Sequence, residues 1–238
     1  MNNFAMYIPI FHHINIDSTQ DEVKRLIDKD MKNKIFVVMA DCQTKGYGTH
    51  GRTWQSCSDN LLFTACFHFD ISKKLAFHLL SPLVSCVILD VVEEKFGFSN
   101  VKLKWPNDGV VNLKKLFGIL IEVIDSHILI GVGFNTNQHP NLLDQPTTCL
   151  KDELYYDLNI ENAVILDLIL HKLIELLKQW ENGYHESIIM NWNQHCFQMN
   201  LPFQYQLGAR NFSGTFLGLN FEGFPQIKDD LGCTIFIR

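Results

Sequence analysis

The chain has 238 residues, 47% hydrophobic and 19% charged, an ordinary globular balance that excludes a disordered polymer or a collagen-like fibre. Twenty basic side chains against twenty-six acidic ones leave a formal charge of −6, which argues against a broad nucleic-acid-binding face. That length suits one full domain, or one domain with a small appendage.

The opening stretch, residues 1–15, lacks the basic and apolar regions of a secretory signal. Ser18 followed three residues later by Asp21 is a helix-capping pattern, and Val23, Leu26 and Ile27 continue it at helical spacing. The β-branched run Ile35–Ala40 predicts a buried strand, and Asn60–Phe69 predicts another. The apolar stretch Leu75–Val92 is interrupted by His78, Ser81, Pro82, Ser85 and Asp90, so it reads as a core helix reaching about Phe96 rather than a membrane span. Pro82 marks either a kink in that helix or its true start.

Val101–Trp105, Phe117–Ile124 and His127–Asn135 predict strands, the last two joined as an antiparallel hairpin across Asp125-Ser126. Glu161–Gly183 is the clearest amphipathic helix. From Leu201 to Arg238, short strands with glycine turns predict a small β-barrel-like appendage. The expected class is α+β, a mixed, largely antiparallel sheet with flanking helices, rather than a doubly wound α/β sheet. The seven cysteines never form CxxC and the histidines show no ligand spacing, so no metal site is expected. Reduced thiols in a cytoplasmic compartment fit that usage.

Three constellations carry chemistry. Gly46-Tyr47-Gly48-Thr49-His50-Gly51 satisfies G-x-G-x-x-G, but a dinucleotide fold needs that loop to run from a strand into a helix. Here the predicted course runs through Arg52 and Trp54 towards another strand, which disfavours the dinucleotide reading. What survives is a loop whose glycines let the backbone approach a ligand, with Arg52 suited to phosphate or carboxylate and Trp54 able to stack on a flat ring or sit in the core.

The second is Lys104-Trp105-Pro106-Asn107-Asp108 followed by Lys115-Leu116-Phe117-Gly118-Ile119-Leu120-Ile121-Glu122. On a strand, Val101, Leu103 and Trp105 share one face and Lys102 and Lys104 the other, with Lys104 at an abrupt end where a pocket could open. The third is Gly131-Val132-Gly133-Phe134-Asn135, where glycines inside an apolar strand mark close approach of a ligand or backbone.

In this order the three motifs resemble the biotin–protein ligase family, whose catalytic region carries Ser-Thr at a helix start, a G-R-G-R-x-G-R-x-W loop, K-W-P-N-D, K-x-x-G-I-L-x-E and a late G-x-G-x-N. The resemblance covers nearly the whole chain. It implies a class II synthetase-like catalytic domain over residues 1–198 and an SH3-like β-domain over 199–238. With only seventeen residues before Ser18, the sequence looks like the ligase-only type without a DNA-binding domain.

The family uses ATP and biotin as substrates, with Mg²⁺, forms biotinyl-5'-AMP, and passes biotin to a lysine of a carboxylase's biotin carboxyl carrier domain. The resemblance makes Lys104 and Arg52 the catalytic pair. It assigns biotin to Ser18, Thr19, Gln20, Gln43, Gly46, Tyr47, Gly48, Thr49, Lys104, Gly118, Gly131 and Gly133. It assigns the nucleotide to Gly48, Thr49, His50, Arg52, Trp54, Asn107, Lys115 and Asn135. A homodimer is compatible with it; nucleic acid and membrane are not expected partners.

Departures from the family pattern fall in the loop. Tyr47, Thr49 and His50 stand where arginines are usual, and Gln20 where an asparagine is. Fewer loop cations imply weaker retention of the adenylate. The competing readings are a lipoate or octanoate ligase or transferase of the same superfamily, and a degenerate binder of biotin or nucleotide.

Overall fold

The computed structural model describes residues 8–237 except 30, 32–33, 71, 74, 142–144, 156 and 158–159. Residues 1–7, part of the stretch read for a secretory signal, lie outside it. In chain order the elements are β1 (Ile10–Ile16), α1 (Thr19–Lys29), β2 (Phe36–Gln43), β3 (Leu61–His68), α2 (Leu80–Phe96), β4 (Lys102–Lys104), β5 (Asp108–Val111), β6 (Lys114–Ile124), β7 (His127–Phe134) and α3 (Leu150–Glu153). There follow α4 (Asn162–Glu181), α5 (Glu186–His195), β8 (Pro202–Leu207), β9 (Arg210–Leu219), β10 (Pro225–Lys228) and β11 (Thr234–Phe236). The class is α+β, as expected. The chain divides into two compact units of two segments each, Met1–Lys74 with Leu113–Ala163 and Leu75–Asn112 with Val164–Arg238.

In the first unit the strands run in the order β1-β2-β3-β7-β6, with β1 parallel to β2 and every other pairing antiparallel. The hairpin across Asp125-Ser126 forms, with Ile124 opposite His127 and Asp125 at φ 50. Val23 and Ile27 of α1, with Leu26 packed beside them, meet Phe36, Val38, Cys66 and Leu129 of the sheet, the apolar stripe that the spacing foretold; Met31, beyond the helix, joins the same cluster. At the other end of α1 the Asp21 N–H donates to Ser18 Oγ at 3.4 Å. Strand β1 was not anticipated.

In the second unit α2 is buried on nearly every side and begins at Leu80, so Pro82 stands in its first turn, where its missing N–H breaks no helical bond. The start reading of Pro82 therefore holds. No helix among the described residues is long and apolar enough to cross a membrane. The predicted Val101–Trp105 strand is β4, paired antiparallel with an unanticipated β5.

Glu161–Gly183 becomes α4, closed by Gly183 at φ 82. The C-terminal strands form an antiparallel sheet in the order β11-β10-β9-β8. Helix α5 is tied to it reciprocally, Asn193 Nδ2 donating to the Leu219 carbonyl and the Leu219 N–H to Asn193 Oδ1, both at 2.8 Å. Trp192 packs against Phe216 with ring centroids 6.3 Å apart.

Candidate active site

The glycine loop leaves β2 at Gln43 and turns back on itself as a narrow hairpin. Trp54 N–H donates to the Gly46 carbonyl at 2.9 Å, Gly48 N–H to the Arg52 carbonyl at 2.7 Å, and Tyr47 pairs with Thr53. At its tip His50 and Gly51 both take left-handed backbone, φ 59 and 69. The segment then enters β3, not a helix, so it lacks the strand-to-helix geometry of a dinucleotide fold. Arg52 and His50 are exposed, Gly48 and Thr49 half-buried.

Behind the loop, one sheet face is floored by glycine. Gly118 and Gly133 are register partners on β6 and β7, and Gly131 stands opposite Thr64 and Leu120. A Cβ on Gly133 would come within 2.4 Å of the Trp54 indole, and one on Gly118 within 3.0 Å of both Trp54 and Lys115 Nζ. The half-buried indole therefore lies directly on the strands, a position only glycine permits. Lys115 Nζ sits 5.2 Å from the Trp54 ring centroid, a cation–π contact worth about 0.5–1 kcal/mol.

One pleat along β7, the character of this face changes. A Cβ on Gly131 would meet Gln20 Oε1 at 2.6 Å. Gln20 is 3% exposed; its Oε1 accepts from Thr64 Oγ1 at 3.0 Å, and its Nε2 has no hydrogen-bond partner among the described residues. Thr19 presents its N–H at 2.8 Å and its hydroxyl at 3.1 Å to Gln43 Oε1, and its hydroxyl lies 2.9 Å from that of Thr64. Buried Thr19, Gln20 and Thr64 thus form a polar cluster with half-buried Gln43 beside an aromatic shelf, and buried Ser18 stands next to Thr19 at the start of α1. Sequence reasoning missed Thr64, although a lone hydroxyl inside LLFTACF was a legible signal.

Tyr47 does not stand free. Its hydroxyl donates to Asp21 Oδ1 at 2.9 Å and accepts from Lys24 Nζ at 2.9 Å. Lys24 also reaches Glu122 at 3.0 Å and Asp21 at 3.3 Å, which occupies all three of its N–H donors. Burial pushes the Tyr47 phenol up to about 12, with Asp21 and Glu122 adding to the rise and Lys24 opposing it, so it stays neutral at physiological pH. Although partial burial works against its charge, the hydrogen bonds it donates to Tyr47 and Glu122 hold the Lys24 ammonium above its ordinary range. Lys24 and Glu122 were not read as site residues; the Asp21–Lys24 spacing of three on one helix was the available clue.

Asn135, 2% exposed, is spent on the framework. Its amide donates to the Thr148 carbonyl at 3.1 Å and to the Lys115 carbonyl at 3.5 Å, and Asn60 donates to its Oδ1 at 3.4 Å. It fixes the backbone that carries Lys115.

Lys104 and Asn107 belong to the second unit. Lys104 is half-buried at the end of β4, in register with Asp108 of β5, and Asn107 is half-buried in the turn between them. Among the described residues, no group of three or more His, Cys, Asp or Glu could hold a metal ion.

The model of the Biotin/lipoate A/B protein ligase family matches residues 13–135. Among curated proteins, the Bifunctional ligase/repressor BirA of Bacillus subtilis is 26% identical over 234 residues, covering 94% of this chain and 70% of that protein. The Biotin--[acetyl-CoA-carboxylase] ligase of Mycobacterium tuberculosis is 31% identical over 154 residues, 62% of this chain and 56% of that protein's length. Among solved structures, the biotin protein ligase from Aquifex aeolicus in complex with biotin and ATP aligns with a TM-score of 0.83 at 24% identity, over 97% of this chain and 96% of that one. That from Leishmania major in complex with biotinyl-5-AMP aligns with a TM-score of 0.71 at 24% identity, over 97% and 98%. At these identities the two structures establish likeness of fold.

Proposed function

Since the chain belongs to the biotin/lipoate A/B protein ligase family, we propose that it is an ATP-dependent biotin–protein ligase. The observation that carries this reading is the shared glycine-floored face, with hydrogen-bonding side chains at Gln20–Gly131 and an aromatic shelf with a lysine at Trp54–Gly133. A small bicyclic urea needs fixed donors and acceptors at its head, and a purine needs a flat surface. The relatives' names and the two solved complexes support the same pairing of ligands.

In the first step a biotin carboxylate oxygen attacks the α-phosphorus of ATP. A carboxylate–phosphorus bond forms, the bond to the β-phosphate oxygen breaks, and pyrophosphate leaves. Two anions about 4 Å apart repel by about 4 kcal/mol at an effective dielectric near 20. By the resemblance, Lys104 and Arg52 are the cations that offset that repulsion. Magnesium enters with the nucleotide, as part of the substrate.

In the second step an uncharged acceptor lysine attacks the acyl carbon of the mixed anhydride, forming an amide and releasing AMP. No enzyme nucleophile is needed. Ser18, Thr19, Gln20 and Gln43 hold the ureido head. The unpartnered Gln20 Nε2 supports this, since a buried donor left unmatched costs about 1–3 kcal/mol and a ligand oxygen would satisfy it. Trp54 and Lys115 take the nucleotide, with Asn135 positioning Lys115. The acceptor is a carboxylase's biotin carboxyl carrier domain, and the setting is cytoplasmic.

The test is biotin-dependent ATP–pyrophosphate exchange, followed by mass measurement of a carrier domain mixed with the protein, ATP, Mg²⁺ and biotin. Exchange should appear with biotin and fall by about two orders of magnitude in Lys104→Met, more than any weakening of biotin binding in the same variant. Exchange supported by lipoate or octanoate in place of biotin would move the assignment to the other branch of the family. Biotin binding without exchange would make the protein a sensor.

A further inference from the structure

Lys104 has a backbone neighbourhood that ties it to the C-terminal sheet. Its two chain neighbours are each bonded to one of two consecutive residues leading into that sheet. The Leu103 carbonyl accepts the Phe197 N–H at 2.8 Å, and the Trp105 N–H donates to Gln198 Oε1 at 2.6 Å. Cys196 adds a parallel bridge to Leu103.

Beyond this tether the Trp105 indole packs edge-on against Tyr205, centroids 4.5 Å apart, and against Phe203 at 5.8 Å. Both aromatics lie on β8. Lys104 pairs with Asp108 on its other side, but β4 is only three residues long. A strand that short is a poor anchor by itself.

We propose that Gln198 is a positioning residue for the adenylation step: its side-chain oxygen, backed by the Trp105–Tyr205 packing, sets the backbone on which Lys104 stands. The proposal rests on the ligase reading above. It gives the C-terminal sheet a part in the chemistry through the backbone that carries Lys104. Misplacing a charged group by a fraction of an ångström is costly when catalysis depends on position.

The test uses the full chain in three variants. Gln198→Leu removes the acceptor at similar volume, Gln198→Glu keeps an oxygen for the Trp105 N–H, and Tyr205→Leu removes the aromatic backing without touching a hydrogen bond. In the pyrophosphate-exchange assay, Gln198→Leu is expected to lower kcat about tenfold while KM for biotin stays within about twofold. Gln198→Glu should recover most of the loss, and Tyr205→Leu should lower kcat without raising KM for biotin.

Backbone hydrogen exchange over residues 102–108 is read in the same proteins and should quicken in Gln198→Leu but not in Gln198→Glu. Unchanged kcat in Gln198→Leu, an equal loss in Gln198→Glu, or unchanged hydrogen exchange overturns the proposal. A wild-type chain without pyrophosphate exchange overturns the ligase reading instead, and the tether is then judged by hydrogen exchange alone.

Discussion

The ammonium of Lys24 lies 2.9 Å from the hydroxyl of Tyr47, and through it a helix residue holds the first limb of the glycine loop. The family pattern places an arginine at position 47. Here the cation stands on α1 instead, and the loop supplies a neutral phenol between Lys24, Asp21 and Glu122.

Tyr47→Phe should therefore loosen the loop while leaving its ring contact with Lys24. The loss of two hydrogen bonds to charged partners at a half-buried site is expected to cost about 1–2 kcal/mol. Hydrogen exchange over residues 46–54 should speed up, and the bound adenylate should escape faster. Tyr47→Arg should not rescue retention unless Lys24 is also neutralised, because two cations would then compete for the same carboxylates. An unaltered loop exchange rate in Tyr47→Phe would show that the latch contributes nothing.

Gly133→Ala places a methyl where the Trp54 indole now rests, since a Cβ there would lie 2.4 Å from two ring atoms. Overpacking of this kind costs about 1–3 kcal/mol. We expect altered tryptophan emission and an increase of about tenfold in KM for ATP. Gly48→Ala is the steric control for stability alone, because its nearest neighbour would be 3.8 Å away. Its melting temperature should barely move.

Asp17 accepts two bonds from Arg25, at 2.7 and 3.0 Å, just before the α1 residues that line the polar cluster. The Arg25 guanidinium, helped by the Ser18 N–H, holds its carboxyl down from 3.8 to about 2. The folded state therefore binds this proton more weakly than the unfolded chain, so the stabilisation is complete above pH 3.8 and fades as pH falls towards 2. Thermal melts of wild type and Asp17→Asn should differ above pH 4 and converge below about pH 2. Because both side chains are partly exposed, the difference should be modest and should shrink with salt.

Chelation should separate substrate metal from structural metal. EDTA is expected to abolish pyrophosphate exchange while leaving biotin affinity and melting temperature unchanged, because magnesium arrives on the nucleotide. A lower melting temperature would point to a resident ion.

Much of this was legible in local pattern. The two-residue link Asp125-Ser126 sets the register of β6 on β7, so the pairing of Gly118 with Gly133 follows from counting outward from the turn. Strand β1 escaped because IFHHINI mixes charge-capable and apolar residues at a sheet edge, and its parallel pairing with β2 is non-local. Strand β5 was hidden in four residues directly after Asn107, where the turn signal dominates. Asp21, Lys24, Tyr47 and Glu122 meet from three separate stretches of chain, and no spacing rule foretells such a meeting. Gln198 was invisible for the same reason: its role depends on a backbone N–H 93 positions away.

The interleaving of the two units has a practical corollary for anyone who would cut this enzyme. Each unit borrows one stretch from either side of the other, Met1–Lys74 with Leu113–Ala163 and Leu75–Asn112 with Val164–Arg238. No single scission can liberate either one whole. Fragment complementation is the rational way to dissect it, with both pieces supplied together.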